Sequence, residues 1–179
     1  MKNYFFQINI ILWLLIGESF TYSLINPAPY LLTDHKGRFT INFPSKPEYT
    51  TKTFRDQNVN YTANIYTLHN SKGTFMVSWM DYQKEYVSQY TSDELLDSER
   101  NGSISKSHGK LLQEKVLKIG KYPGREIRTI ATINNIEMTW RTRVYIVGNR
   151  KYNIITITYP QNTFDSDFES FLTSFKLIP

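Results

Sequence analysis

Cysteine is absent from all 179 residues. That excludes disulfides, thiolate zinc sites, iron–sulfur clusters and thiol nucleophiles. It also excludes a lipoprotein anchor, which needs a cysteine at its processing site. No apolar run reaches the roughly 20 residues with which a helix spans a bilayer. The longest, Phe5 to Ile16, is broken by Gln7 and Asn9. There is no Gly-x-Ser-x-Gly elbow and no glycine-rich phosphate loop. His35, His69 and His108 have no metal-ligand spacing among them, so the sequence indicates neither metal nor cofactor. Lysine and arginine never form the long run typical of an interaction tail.

What is present reads as a globular chain. Hydrophobic residues make up 40% and charged residues 21%, which is folded rather than disordered composition. The length suits one domain, large enough to bury a core without covalent staples. A net charge of +5 favours anionic partners, with a solvated basic surface as the plainer explanation.

The chain opens as a secretory signal does. Lys2 precedes the apolar run, and Gly17-Glu18-Ser19 and Thr21-Tyr22-Ser23 supply small residues for cleavage after Ser19 or Ser23. We therefore expect a signal peptide over 1–23 and an exported, periplasmic or extracellular product. Pro27 and Pro29 stop a helix from continuing. Residues 24–36 read as a tether, and 37–179 as a single domain.

Within that domain, period-two alternation predicts strands. It runs through Phe39, Ile41 and Phe43, through Val59, Tyr61, Ala63 and Ile65, and from Met138 to Val147. Glu48 to Phe54 reads as an outer strand, and Lys110–Ile119 and Arg125–Ala131 as further ones. Phe75 to Tyr82 is apolar on both faces, as a covered central strand would be. Asn134-Asn135 and the Gly-first pair Gly148-Asn149 mark hairpin turns. Gly120 to Gly124 reads as a turn enclosing Pro123. Thr91 and Glu94 form a capping box for a helix that Gly102 would end or kink. Thr163 or Ser166 would cap a closing helix with Phe168, Phe171, Leu172 and Phe175 as its apolar stripe. The expected fold class is α+β, a central mostly antiparallel sheet with helices packed on its faces.

Four segments carry a family resemblance: Gly37-Arg38-Phe39-Thr40-Ile41-Asn42-Phe43-Pro44, Tyr122-Pro123-Gly124-Arg125-Glu126, Arg143-Val144-Tyr145-Ile146-Val147-Gly148-Asn149-Arg150 and Ser174-Phe175-Lys176-Leu177. They resemble small exported bacterial proteins laid out like the PsbP-like superfamily. The resemblance implies the layered sheet just described and an accessory role rather than an enzymatic one. It transfers no functional residue. Gly124 suits a tight turn with positive φ.

Chemistry-bearing residues are sparse. Asp93, Glu94 and Asp97, like Asp165, Asp167 and Glu169, lie where helix N-termini favour acids. Asp81, ending an apolar strand beside Trp79, is the one acid to watch. Asn60 and Asn101 match weak glycosylation patterns. The better lead is basic. Arg141, Arg143 and Tyr145 share one parity, hence one sheet face. Arg125 and Arg128 lie on a neighbouring strand, with Arg150 and Lys151 close by, and Glu126 and Glu137 are available to neutralise them. Hairpin pairing would gather Arg125, Arg128, Arg141, Arg143 and Tyr145 into an anion-binding patch. Tyr145 beside arginines resembles a nucleic-acid stacking surface, but export argues against nucleic acid.

The leading functional expectation is an exported, non-enzymatic binding or accessory module acting on a protein or envelope component, with peripheral membrane contact as one form. The first alternative is a carrier of a small amphipathic ligand or lipid, with Tyr and Phe lining a cavity. The second is a hydrolase with a dispersed site built on Asp81 or a histidine.

Overall fold

Alternation of period two dominates the chain, and it builds two antiparallel sheets. A computed structural model describes residues 29–56 and 59–179. The expected signal peptide and the start of the tether lie outside the described residues. The smaller sheet contains β1 (Tyr30–Asp34), β2 (Phe39–Phe43) and β10 (Lys176–Leu177), in the order β1-β2-β10. The larger contains β3 (Glu48–Asp56), β4 (Val59–Asn70), β5 (Gly73–Asp81), β6 (Lys110–Ile119), β7 (Tyr122–Ile133), β8 (Ile136–Val147) and β9 (Arg150–Thr158). Its order is β3-β4-β5-β9-β8-β7-β6, antiparallel throughout. Helices α1 (Lys84–Val87) and α2 (Ser92–Ser107) connect β5 to β6, and α3 (Ser166–Ser174) follows β9.

Phe75 to Met80 of β5 are all buried, as a central strand covered on both sides requires. On one face, Phe75, Val77, Tyr145, Tyr152 and Ile154 pack against Phe39, Ile41 and Phe43 of the small sheet and Phe168, Phe171, Leu172 and Phe175 of the C-terminal segment. On the other, Met80, Ile127, Val144 and Ile146 meet Leu95 and Leu96 of α2. The layering is thus richer than helices alone, because the α3 face is shared with a second sheet.

Several local expectations change. Tyr30–Asp34, placed in the tether from sequence, is a strand: Leu32 and Asp34 point inward and pair antiparallel with β2. The domain therefore begins earlier than Gly37. The capping box of Thr91 and Glu94 forms. Helix α2 nevertheless runs past Gly102 to Ser107 and ends at His108, whose φ is +47°. A mid-helix glycine costs only about 1 kcal/mol, which packing can offset. The cap of α3 is Asp165, whose side chain accepts from the Asp167 N–H.

Pro123 and Gly124 lie inside β7, and the turn is only Gly120-Lys121. Gly124 has no positive φ. It is small because Tyr145 lies directly across from it: a Cβ there would sit 2.3 Å from the Tyr145 ring.

Buried polar clusters join the layers. The Asp34 carboxylate accepts from Gly37 N at 2.7 Å, Trp79 Nε1 at 2.8 Å and the Tyr66 hydroxyl at 3.1 Å. It thereby ties the β1–β2 turn to β4 and β5. Gly37 must be glycine here, since a Cβ would lie 2.6 Å from Trp79 Nε1. On the other face Lys151, 1% exposed, donates to Glu99 of α2 at 2.7 Å, and the Tyr82 hydroxyl donates to the same oxygen at 3.1 Å. Burial, then the Glu99 charge, pushes the Tyr82 phenol well above its usual range.

Asp34→Ala strands three donors and is expected to lower the unfolding free energy by about 2–4 kcal/mol. A urea titration measures it, and an unchanged midpoint would mean that aromatic packing alone holds the small sheet. Lys151→Ala leaves Glu99 buried without its cation, for an expected loss of about 3–5 kcal/mol. Lys151→Met combined with Glu99→Leu should recover most of that loss in the same measurement. A double variant as unstable as the single would contradict this account.

Candidate functional site

The hairpin between β7 and β8 decides which arginines meet. Asn134 and Asn135 both adopt positive φ, +50° and +65°, the conformation of a two-residue hairpin turn. That turn fixes the register: Arg128 faces Arg141, Glu126 faces Arg143, and Gly124 faces Tyr145. All six residues project from the face that carries α3. Arg125 has the opposite parity and leaves the patch. On the α2 face it bonds Asp97, Glu114 at 2.7 Å and Asp93 at 3.5 Å. Burial works against its charge, but the hydrogen bonds it donates to Asp97 and Glu114 outweigh that and raise its pKa.

Of the four residues that stay together, three have partners. Tyr145 is buried, and its ring stacks on Phe175 with centroids 6.0 Å apart. It belongs to the core and offers no surface for stacking. Arg143 donates Nε to Glu126 at 2.6 Å and Nη1 to the Leu172 carbonyl of α3 at 2.9 Å. Arg141, 4% exposed, donates to Glu126 at 3.0 Å, to the Thr163 carbonyl at 3.3 Å, and to Glu169 of α3. For Glu126, burial alone would raise the pKa, but hydrogen bonds from Arg143 and Arg141 more than reverse it and hold the carboxyl ionised. For Arg141 burial likewise opposes charge, and the hydrogen bonds it donates to Glu169 and Glu126 prevail.

Arg128 differs. Its guanidinium lies over the Phe164 ring, 5.1 Å from the centroid, and Arg141 lies over the same ring at 4.9 Å. Its Nε, like that of Arg141, is buried with no hydrogen-bond partner. No carboxylate among the described residues pairs with it. Phe164 is 60% exposed, so the stacked pair reaches the surface. This corner can bind an oxyanion and position it. It holds no candidate general base, because Glu126 and Glu169 are both committed to Arg141.

Asp81, His69, Asp165 and Asp167 are engaged in structural contacts. Asp81 pairs with Arg150 through two hydrogen bonds, at 2.6 and 2.7 Å. His69 shares a hydrogen bond with Thr74 at 2.8 Å, and burial lowers its pKa. Asp165 and Asp167 hold Lys72. Among the described residues no group of three or more His, Asp or Glu is placed to hold a metal ion. No helix among them is long and apolar enough to cross a membrane.

Sequence reasoning missed Phe164 and Glu169 as members of this corner, and Glu99 as the partner of Lys151. Phe164 had one legible signal, an aromatic outside the α3 stripe just before the helix. The pairings themselves depend on chain crossings remote in sequence.

No protein-family model and no curated protein matches the chain. Among solved structures, the fold is similar to that of cyanobacterial PsbP (CyanoP) from Synechocystis sp. PCC 6803. The TM-score is 0.58 at 10% identity, over 90% of this chain and 98% of that one. A protein from Bacteroides thetaiotaomicron gives a TM-score of 0.49 at 13% identity over 87% of this chain, which spans only 50% of that protein. A Pseudomonas aeruginosa protein of unknown function gives 0.38 at 9% identity, over 76% of this chain and 87% of that one. The first of these likenesses supports a PsbP-like fold, an antiparallel sheet with few helices, and at such identity it extends to the fold alone.

Proposed function

We propose that this chain is an exported, non-enzymatic binding or accessory module of the PsbP-like superfamily that acts on a protein or envelope component. The observation that carries the reading is the Arg128–Phe164 corner. It joins a guanidinium that has no carboxylate partner among the described residues to an exposed aromatic ring. Arginine and aromatic residues are the types that most often anchor interfaces. The PsbP-like fold and the signal-like N-terminus support the same reading by analogy. A carrier role draws no support from the aromatic residues. Phe75 and Phe168 stack at 4.5 Å and Phe43 meets Phe171 at 4.8 Å, so these rings pack on one another.

The test is native mass spectrometry of the full chain expressed in its own host and purified gently from the envelope fraction. The expected species begins after Ser19 or Ser23 and carries a partner that the Arg128→Gln variant loses. An uncleaved product confined to the cytoplasm would overturn export. A partner retained equally by the variant would overturn the corner as its binding site.

A further inference from the structure

We propose that the Arg128–Phe164 corner receives one carboxylate, presented by an acidic segment of a partner protein. The proposal rests on the binding-module reading and names its ligand chemistry.

Charge sets the first limit. Arg128, Arg141 and Arg143 face two carboxylates, Glu126 and Glu169. Among the described residues one of the three arginine charges therefore remains uncompensated, and a single negative charge balances it. Arg141 and Arg143 are already held by Glu126, Glu169 and the carbonyls of Thr163 and Leu172. The balancing anion therefore belongs at Arg128.

Geometry sets the second. Arg128 Nε is buried, so its outward donors are the two Nη nitrogens at the end of the fork. That edge matches the two oxygens of a planar carboxylate in one bidentate pair. The Phe164 ring, 5.1 Å from the guanidinium carbon, holds the cation in place and would give an apolar contact for the stem of a glutamate or aspartate.

The surroundings point to a protein as the source. Arg128 pairs with Gln113 of β6, the last strand of the large sheet. Lys110 and Lys115 stand on the same face of β6, opposite Ile130 and Glu126. Neither lysine forms an ion pair with a carboxylate among the described residues. Lysines along an edge strand repel a second copy of the same edge and attract an acidic segment. Phosphodiester groups also carry one charge and also fit the fork bidentately, so the choice of a protein carboxylate rests on the extended edge strand, along which an acidic segment can lie.

The test is a titration of the 15N-labelled mature domain, observing the arginine Nε–H signals. The probes are an acetylated Glu-rich hexapeptide, dimethyl phosphate and phosphatidylglycerol vesicles. The expected result is a response at Arg128 to the peptide at lower concentration than to either phosphate probe. Arg128→Gln should weaken peptide binding about tenfold or more, the effect of losing a charge-assisted pair. Arg128→Lys should fail to restore it, because it keeps the charge and loses the fork. Phe164→Leu should weaken it as well, and Lys84→Gln, exposed on α1, should not. Thermal melts identify any variant that is merely misfolded. Equal binding by wild type and Arg128→Gln, or full rescue by lysine, would overturn the proposal. Preference for dimethyl phosphate or the vesicles would overturn the carboxylate assignment. Peptide binding here with no partner recovered from the host would count against the broader functional reading and leave the site standing.

Discussion

The Asp34 carboxylate is the point at which the two sheets become one domain. Strands of the small sheet are short, and a few short strands have little stability of their own. Three donors from three segments converge on Asp34, and each would be left unsatisfied if the turn moved away. The aromatic rings then add area. Phe39 is fully buried, meets Tyr152 edge-on at 6.1 Å and stacks on Phe175 at 5.4 Å. The hydrogen bonds thus fix orientation, while burial of the rings, worth about 1.5–3 kcal/mol each, supplies most of the attraction. Outside the carboxylate, Arg150 reinforces the same corner. It lies over the Trp79 ring at 4.2 Å and donates to the Lys36 carbonyl at 2.7 Å.

The C-terminal helix depends on the same logic with the charges reversed. Helix α3 buries Phe168, Phe171 and Leu172, but its position along the sheet is set by Arg141 and Arg143. Those side chains bond its carboxylate at Glu169 and its carbonyl at Leu172. An apolar stripe slides easily on an apolar sheet, whereas a guanidinium fork accepts only certain placements. Buried arginines in this fold therefore act as register marks, at a desolvation cost that the surrounding acceptors offset.

Much of this was legible in sequence because short-range rules produce it. Parity assigned Arg141, Arg143 and Tyr145 to one face. The two-residue turn at Asn134-Asn135, taken literally, would have set Glu126 against Arg143 and sent Arg125 to the other side. The capping box at Thr91 and the stripe ending at Phe175 were equally local. What escaped was decided by contacts remote in sequence. β1 looked like a tether because Asp34, a polar residue, occupies one of its inward positions, and its donors come from Trp79 and Tyr66. Gly124 looked like a turn residue because nothing local shows that the Tyr145 ring lies above it. The burial of Glu99 and Lys151 had no local sign, because each is buried only through the other's element.

Arg128 gains its meaning from that contrast. The fold pairs Arg125, Arg141, Arg143 and Arg150 with carboxylates, so the guanidiniums nearest Arg128 on β7 and β8 are neutralised and Arg128, among the described residues, is not. At Arg128 the covering chain is no longer α3 but the segment before it, which supplies the Thr163 carbonyl to Arg141 and the Phe164 ring to both arginines. An aromatic face attracts a cation while leaving its hydrogen-bond donors free, unlike a carboxylate, which consumes them. A guanidinium held by a ring rather than by an acid is thus oriented without being neutralised. Its neighbours Arg141 and Glu126 are fixed to α3 and the sheet and cannot collapse onto it. The same buried pairs that set the register of α3 therefore keep one arginine presented at the surface, and stability and recognition share a single charge network.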